Sequence, residues 1–144
     1  MGIRKMPINA TSNGTNSHTL LRLLADWRPV EFPSSLPEKD ADLELWRAAA
    51  RLVEQDCVLT IHFADWHIGK IKKEDRYYFT LFEARAASIT AIKTCQRMGR
   101  KTSLRNFRND AEKLKAQYDS LGSLFMILFE LQEPLIQERA SAAL

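Results

Sequence analysis

The run "CVLTIHFADWHIGK", Cys57 to Lys70, decides how the fold is read. Cys57 to Ala64 packs β-branched and aromatic residues into a short stretch, and such side chains suit a pleated, half-buried surface. A strand is therefore predicted over Cys57–Ala64, the best strand candidate in the chain. Next, "DWHIGKIKKEDR" turns the chain, and "YYFTLF" from Tyr77 reads either as a second, pairing strand or as the start of a helix. Helix from about Asp75 is favoured, because "EARAASITAIKTCQRM" continues it with strong helix formers and no breaker before Gly99.

Outward on the N-terminal side, Asp40 or Asp42 can cap a helix that shows Leu45, Ala48, Ala49, Leu52 and Val53 on one face to about Gln55. Before it, "PVEFPSSLPEKD" holds Pro29, Pro33 and Pro37, which predicts an extended linker or a loop hugging the surface. A short helix from Ser17, apolar through Leu20, Leu21, Leu23, Leu24 and Trp27, ends at Pro29. Residues 1–16, rich in Asn, Ser, Thr and Gly, are expected to be a flexible arm in front of one helical domain over 17–144.

The final third carries the clearest pattern. Leu104, Phe107, Ala111, Leu114, Tyr118, Leu121, Phe125 and Leu128 alternate in steps of three and four, a coiled-coil-like seam that only a helix lines up. Gly122 interrupts it: unbroken register favours one long helix, whereas Asp119 to Ser123 has the turn chemistry of a helical hairpin. Beyond Leu121, "LFMILFEL" is apolar nearly all round, so it is either central to the core or shared with another copy. Leu124, Phe125, Leu128 and Phe129 are the candidate interface of a homodimer or with a partner protein. Pro134 is expected to end or kink this helix.

The 144 residues, 45% hydrophobic and 27% charged, have the composition of one globular domain with a real core. A formal charge of +3 permits an acidic partner without demanding one. The longest apolar run, Leu124 to Phe129, is far too short for a membrane span. Cys57 and Cys95 lack metal or redox spacing and read as reduced, buried thiols. With no apolar N-terminal run of signal-peptide length, the expected location is the cytoplasm and no membrane partner is expected.

Within the opening stretch, "HFADWHIGK" resembles the first motif of the calcineurin-like metallophosphoesterases, most closely that of the DNA-repair nucleases of that family. The resemblance implies Asp65 and His67 as ligands of one ion of a two-metal site at a strand end. The family's later motifs, a Gly-Asp pair, a Gly-Asn-His and a Gly-His-x-His, do not occur in the sequence, and no histidine follows His67. A two-metal cage needs more ligands than Asp65, His67 and scattered carboxylates supply. The chain also has no P-loop, GxGxxG, GxSxG or HExxH. The expectation is a protein without enzymatic activity, catalytic residue, metal or cofactor, whose Trp66 and Ile68 pack inward while Gly69 turns the chain and Asp65 and His67 are exposed or locally hydrogen-bonded.

Charge is unevenly spread. Lys93 to Lys115 holds eight cations against Asp110 and Glu112, an excess of six that exceeds the charge of the whole chain. Such a concentration suits a phosphate-bearing or acidic-protein partner. "IKTCQRMGRKTSLRNFR" looks like a helix-turn-helix, with Thr102 or Ser103 capping a second helix whose Arg105, Asn106 and Arg108 point away from the Leu104/Phe107 seam. Arg and Asn are the residue types that read guanine and adenine edges.

Together these readings predict a mainly α-helical domain with one short β-strand or hairpin and a long C-terminal helix or helical hairpin. The expected function is that of a small regulatory protein binding DNA or other nucleic acid through Arg97, Arg100, Lys101, Arg105, Asn106 and Arg108. A protein-binding adaptor or inhibitor, using the apolar C-terminal helix and the same cations, is the rival.

Overall fold

The computed structural model describes residues 27–100 and 102–142, with side chains through Leu131 except Phe129. The expected arm over 1–16, the helix expected from Ser17 as far as residue 26, and Lys101 lie outside the described residues. Three helices follow in order: α1 over Asp40–Ile68, α2 over Tyr78–Met98 and α3 over Leu104–Ala142.

Among the described residues there is no strand, and the one predicted over Cys57–Ala64 is the second half of α1. The physical reason lies in the spacing of the buried positions. Trp46, Ala49, Ala50, Val53, Asp56, Cys57, Thr60, Phe63, Ala64 and His67 are all buried, which is the i, i+3, i+4, i+7 stripe of a helix set against a core. Burial of that stripe outweighs the mild helix aversion of Val58, Thr60 and Ile61. α1 starts where Asp42 Oδ2 accepts the backbone N–H groups of Glu38 (3.0 Å) and Lys39 (3.2 Å), groups a helix start otherwise leaves unpaired.

A nine-residue turn then reverses the chain. His67 O accepts the N–H groups of Lys70 and Ile71, and Asp75 Oδ1 that of Tyr77 (2.8 Å), which launches α2. The helical reading of "YYFTLF" therefore holds. α1 and α2 are antiparallel: Arg47 Nε donates to Met98 O (3.3 Å) at one end, and Arg85 Nε to Asp65 Oδ1 (2.7 Å) at the other. α2 and α3 are antiparallel too, tied by Arg97 with Asp110 and by Tyr77 Oη with Glu130 (2.8 Å). That makes α2 and α3 a long helical hairpin packed along its length rather than the crossed pair of a DNA-reading helix-turn-helix.

α3 runs unbroken through Gly122, and Pro134 does not end it. A proline removes one N–H from the helical ladder, and here the helix continues past it to Ala142. The seam faces the molecule's own interior: Phe107, Ala111, Leu114, Tyr118, Leu121, Phe125 and Leu128 are buried, and only Leu104 at its start is exposed.

The proline-rich segment is a strap laid between α1 and α3, as a surface-hugging loop should be. Trp27 packs on Phe125 (5.1 Å between ring centroids), and Phe32 on both Trp46 (5.5 Å) and Tyr118 (5.6 Å). Trp46 Nε1 donates to Ser35 O (2.9 Å), and Arg108 Nη1 to Pro37 O (2.9 Å). The joint is polar at its centre. Tyr118 Oη donates to Asp56 Oδ2 (2.7 Å) and accepts the Val30 N–H (3.2 Å), so α3, α1 and the strap meet at one hydroxyl. A buried carboxylate is tolerated only when hydrogen-bonded.

Candidate nucleic-acid interface

The metal-ligand pair implied by the opening motif is taken apart by the helix that carries it. Two residues apart on a strand end can turn toward one ion, but two residues apart on a helix point roughly 160° away from each other. Asp65 is exposed and held by Arg85 of α2. His67, expected to be exposed or locally hydrogen-bonded, is instead buried on the opposite side because the helix turns it into the α1 stripe, with its ring stacked on Phe63 (5.6 Å, 10° between planes). Burial pushes the His67 pKa below its ordinary value, and the nearby Asp75 charge opposes this without reversing it. Its Nδ1 has no hydrogen-bond partner among the described residues. Trp66 and Ile68 are partly buried against the core, as expected, while Lys70 Nζ sits 5.4 Å above the Trp66 ring. Among the described residues no group of three His, Cys, Asp or Glu side chains could hold a metal ion.

The thiols are equally inward. Burial raises the pKa of Cys57, with the nearby Cys95 and Asp56 adding to the effect, and pushes that of Cys95 up to about 12. Neither is a thiolate nucleophile at neutral pH.

The basic region is where α2 ends and α3 begins. Gly99 closes α2, its N–H directed at Cys95 O and Gln96 O, with an ordinary right-handed backbone (φ −75°, ψ −15°). Ser103 opens α3: its Oγ accepts the Asn106 N–H (3.2 Å) and its carbonyl that of Phe107 (3.0 Å). Arg47 of α1 anchors the corner from behind, with its guanidinium 5.4 Å from the Phe107 ring centroid.

The five described candidates of the cation region separate into three kinds. Arg97 is committed within the protein: Nε and Nη2 both reach Asp110 Oδ1 (3.3 and 3.2 Å), and Nη2 also reaches Thr94 Oγ1 (3.2 Å). Arg108 is half-buried and tied to the strap at Pro37 O. Arg100, Arg105 and Asn106 are exposed, and neither arginine forms an ion pair among the described residues. Lys101, beside them in sequence, lies outside the described residues.

Arg97, Arg100, Thr102, Asn106, Asn109 and Asp110 line a shallow open cleft of about 400 Å³. With Arg97 and Asp110 paired to each other, Arg100 offers the lining a guanidinium suited to phosphate, and Asn106 and Asn109 offer amides suited to the polar edge of a base. Asn109 and Asp110 were not singled out by sequence reasoning as contact residues. Their signal was present, since both are one turn from Asn106 or Arg105 on α3, but nothing in the sequence brings Arg97 to Asp110.

Of the apolar interface candidates, Phe125 and Leu128 belong to the chain's own core, and Leu124 is partly buried against it. Phe129 has no described side chain. The seam position explains this: a residue packed into the chain's own core is not free to pack on a second copy. Among the described side chains of this segment, the large apolar one most open to solvent is Met126, 62% exposed. Among the described residues no helix is long and apolar enough to cross a membrane.

Compared with family models, curated proteins and solved structures, the chain matches none of them.

Proposed function

We propose that this chain is a small non-enzymatic accessory protein that binds nucleic acid through the corner between α2 and α3. One observation carries the proposal. Arg100 and Arg105 flank the turn exposed and without a carboxylate partner among the described residues, next to exposed Asn106 and the cleft it lines. Unpaired guanidinium groups on a fixed corner are free to replace the counterions of a phosphate backbone. Arg97 and Arg108 hold the corner's shape instead of touching the ligand, through Asp110 and Pro37.

With Arg100, Arg105 and the neighbouring Lys101 on phosphates, log K against log salt should fall with a slope of about −2.7 on duplex DNA. A titration of random-sequence duplex from low to moderate salt tests this. No binding at low salt would sink the proposal. The rival, a protein-binding adaptor, draws support from exposed Met126 and half-buried Leu124 on α3. It predicts association that survives high salt, including self-association, because apolar burial is not screened.

A further inference from the structure

The outer face of α2 has a composition the corner alone does not explain. Phe79, Phe82, Ala86, Thr90, Lys93 and Arg97 recur at steps of three and four, so they share one face, and all six are exposed. It lies opposite the buried stripe of Leu81, Ala84, Ser88, Ala91 and Cys95. Two aromatic rings stand at its start, 66% exposed for Phe79 and 41% for Phe82, joined edge to face through Tyr78 (5.4 and 5.0 Å between centroids). Small, uncharged positions fill its middle, where the Thr90 hydroxyl is turned back onto Ala86 O (3.2 Å). Cations close it: Lys93, with no ion pair among the described residues, then Arg97 and, past the helix end, Arg100. None of the six positions is acidic. Glu83 flanks the aromatic end, and Asp110 of α3 is already held by Arg97.

Exposed phenyl rings are costly to leave in water, and a ring face with cations further along the same surface is the combination that holds unpaired bases and their phosphates. α2 has 21 residues, which gives a track about 30 Å long. A duplex buries its base faces in its own stack and cannot use the rings. Resting on the proposed function, we infer that the outer face of α2 is a track for a single nucleic-acid strand, with bases on Phe79 and Phe82 and phosphates on Lys93 and Arg100. The corner then serves duplex and single strand alike, and the rings serve the single strand alone.

The test is fluorescence anisotropy with a labelled oligothymidylate of about 12 nucleotides and a duplex of similar length. The proteins are full-length wild type, Phe79→Ala/Phe82→Ala, Lys93→Gln and Arg100→Ala, each checked by circular dichroism. The double phenylalanine variant should bind the single strand at least about 5-fold more weakly, by the usual worth of one base stack, with duplex binding unchanged. Lys93→Gln should weaken the single strand too, and Arg100→Ala should weaken both ligands. If the phenylalanine variant binds the single strand like wild type, or loses duplex binding equally, the track is wrong while the corner stands on the Arg100→Ala result. If wild type binds neither ligand at low salt, both proposals fall and the face belongs to another class of partner.

Discussion

Gly122→Ala should make the protein more stable, by an amount the structure allows to be worked out. Gly122 lies inside α3, 18 residues after its start and 20 before its end. No described glycine has a positive φ, so alanine meets no backbone strain there. A Cβ built on Gly122 meets nothing within 4 Å, so it gains no clash and no packing. What remains is the difference in helix propensity, about 1 kcal/mol in favour of alanine, which arises mainly from the freedom glycine loses on folding. For a chain of this size that corresponds to a rise in Tm of about 3 °C. Thermal and urea unfolding followed at 222 nm would measure it. The opposite sign would refute the reasoning: a turn at Asp119 to Ser123 would use Gly122 as a left-handed cap, and alanine there would cost about 1 kcal/mol or more.

Tyr118→Phe removes the hydroxyl that joins Asp56 to the Val30 N–H, and should cost about 2 kcal/mol in urea unfolding because a buried carboxyl group and a buried N–H both lose their link; an unchanged midpoint would mean the strap is not fastened there. His67 has a folded pKa below its unfolded value of 6.5, so the unfolded chain takes the proton first. Its stabilising contribution is complete above about pH 6.5 and is lost as pH falls through the folded pKa, with a slope of at most about 1.4 kcal/mol per pH unit. His67→Gln should flatten stability over that range, and a variant as pH-sensitive as wild type would assign the effect elsewhere. Asp65→Ala should cost less than about 1 kcal/mol, the worth of an exposed pair with Arg85; manganese should give neither phosphodiesterase activity nor a thermal shift in either protein, and activity abolished by the substitution would restore the nuclease reading.

α3 was legible from sequence because the inward positions from Phe107 to Leu128 are apolar or, at Tyr118, mostly so. The second half of α1 was not. Its inward stripe includes Asp56, Thr60 and His67, polar side chains that hid a period visible from Trp46 onward, and local β propensity then decided the reading. The same polarity produced the nuclease-like pattern, since Asp-x-His has different geometry on a helix than at a strand end. At the basic corner, sequence ranked Arg97, Arg100, Arg105 and Arg108 alike. What separates them is who pairs with whom across the hairpin and the strap: Asp110, 13 residues from Arg97, and Pro37, 71 residues from Arg108. For Phe79 and Phe82 the run "YYFTLF" left strand and helix both open and so assigned no face; the helical period through Leu81, Ala84 and Ser88 is what turns them outward.

At the α2–α3 corner, Arg100 and Arg105, without ion pairs among the described residues, are proposed to contact phosphate. That contact is tested most directly by the salt dependence of duplex DNA binding for wild type against Arg100→Ala/Arg105→Ala, two exposed residues whose loss should leave the fold intact. If each arginine releases about one counterion, the double variant should bind more weakly at every salt concentration, with its log-log slope shallower by about 1.8. Equal slopes and equal affinities, or no binding by wild type at low salt, would contradict it.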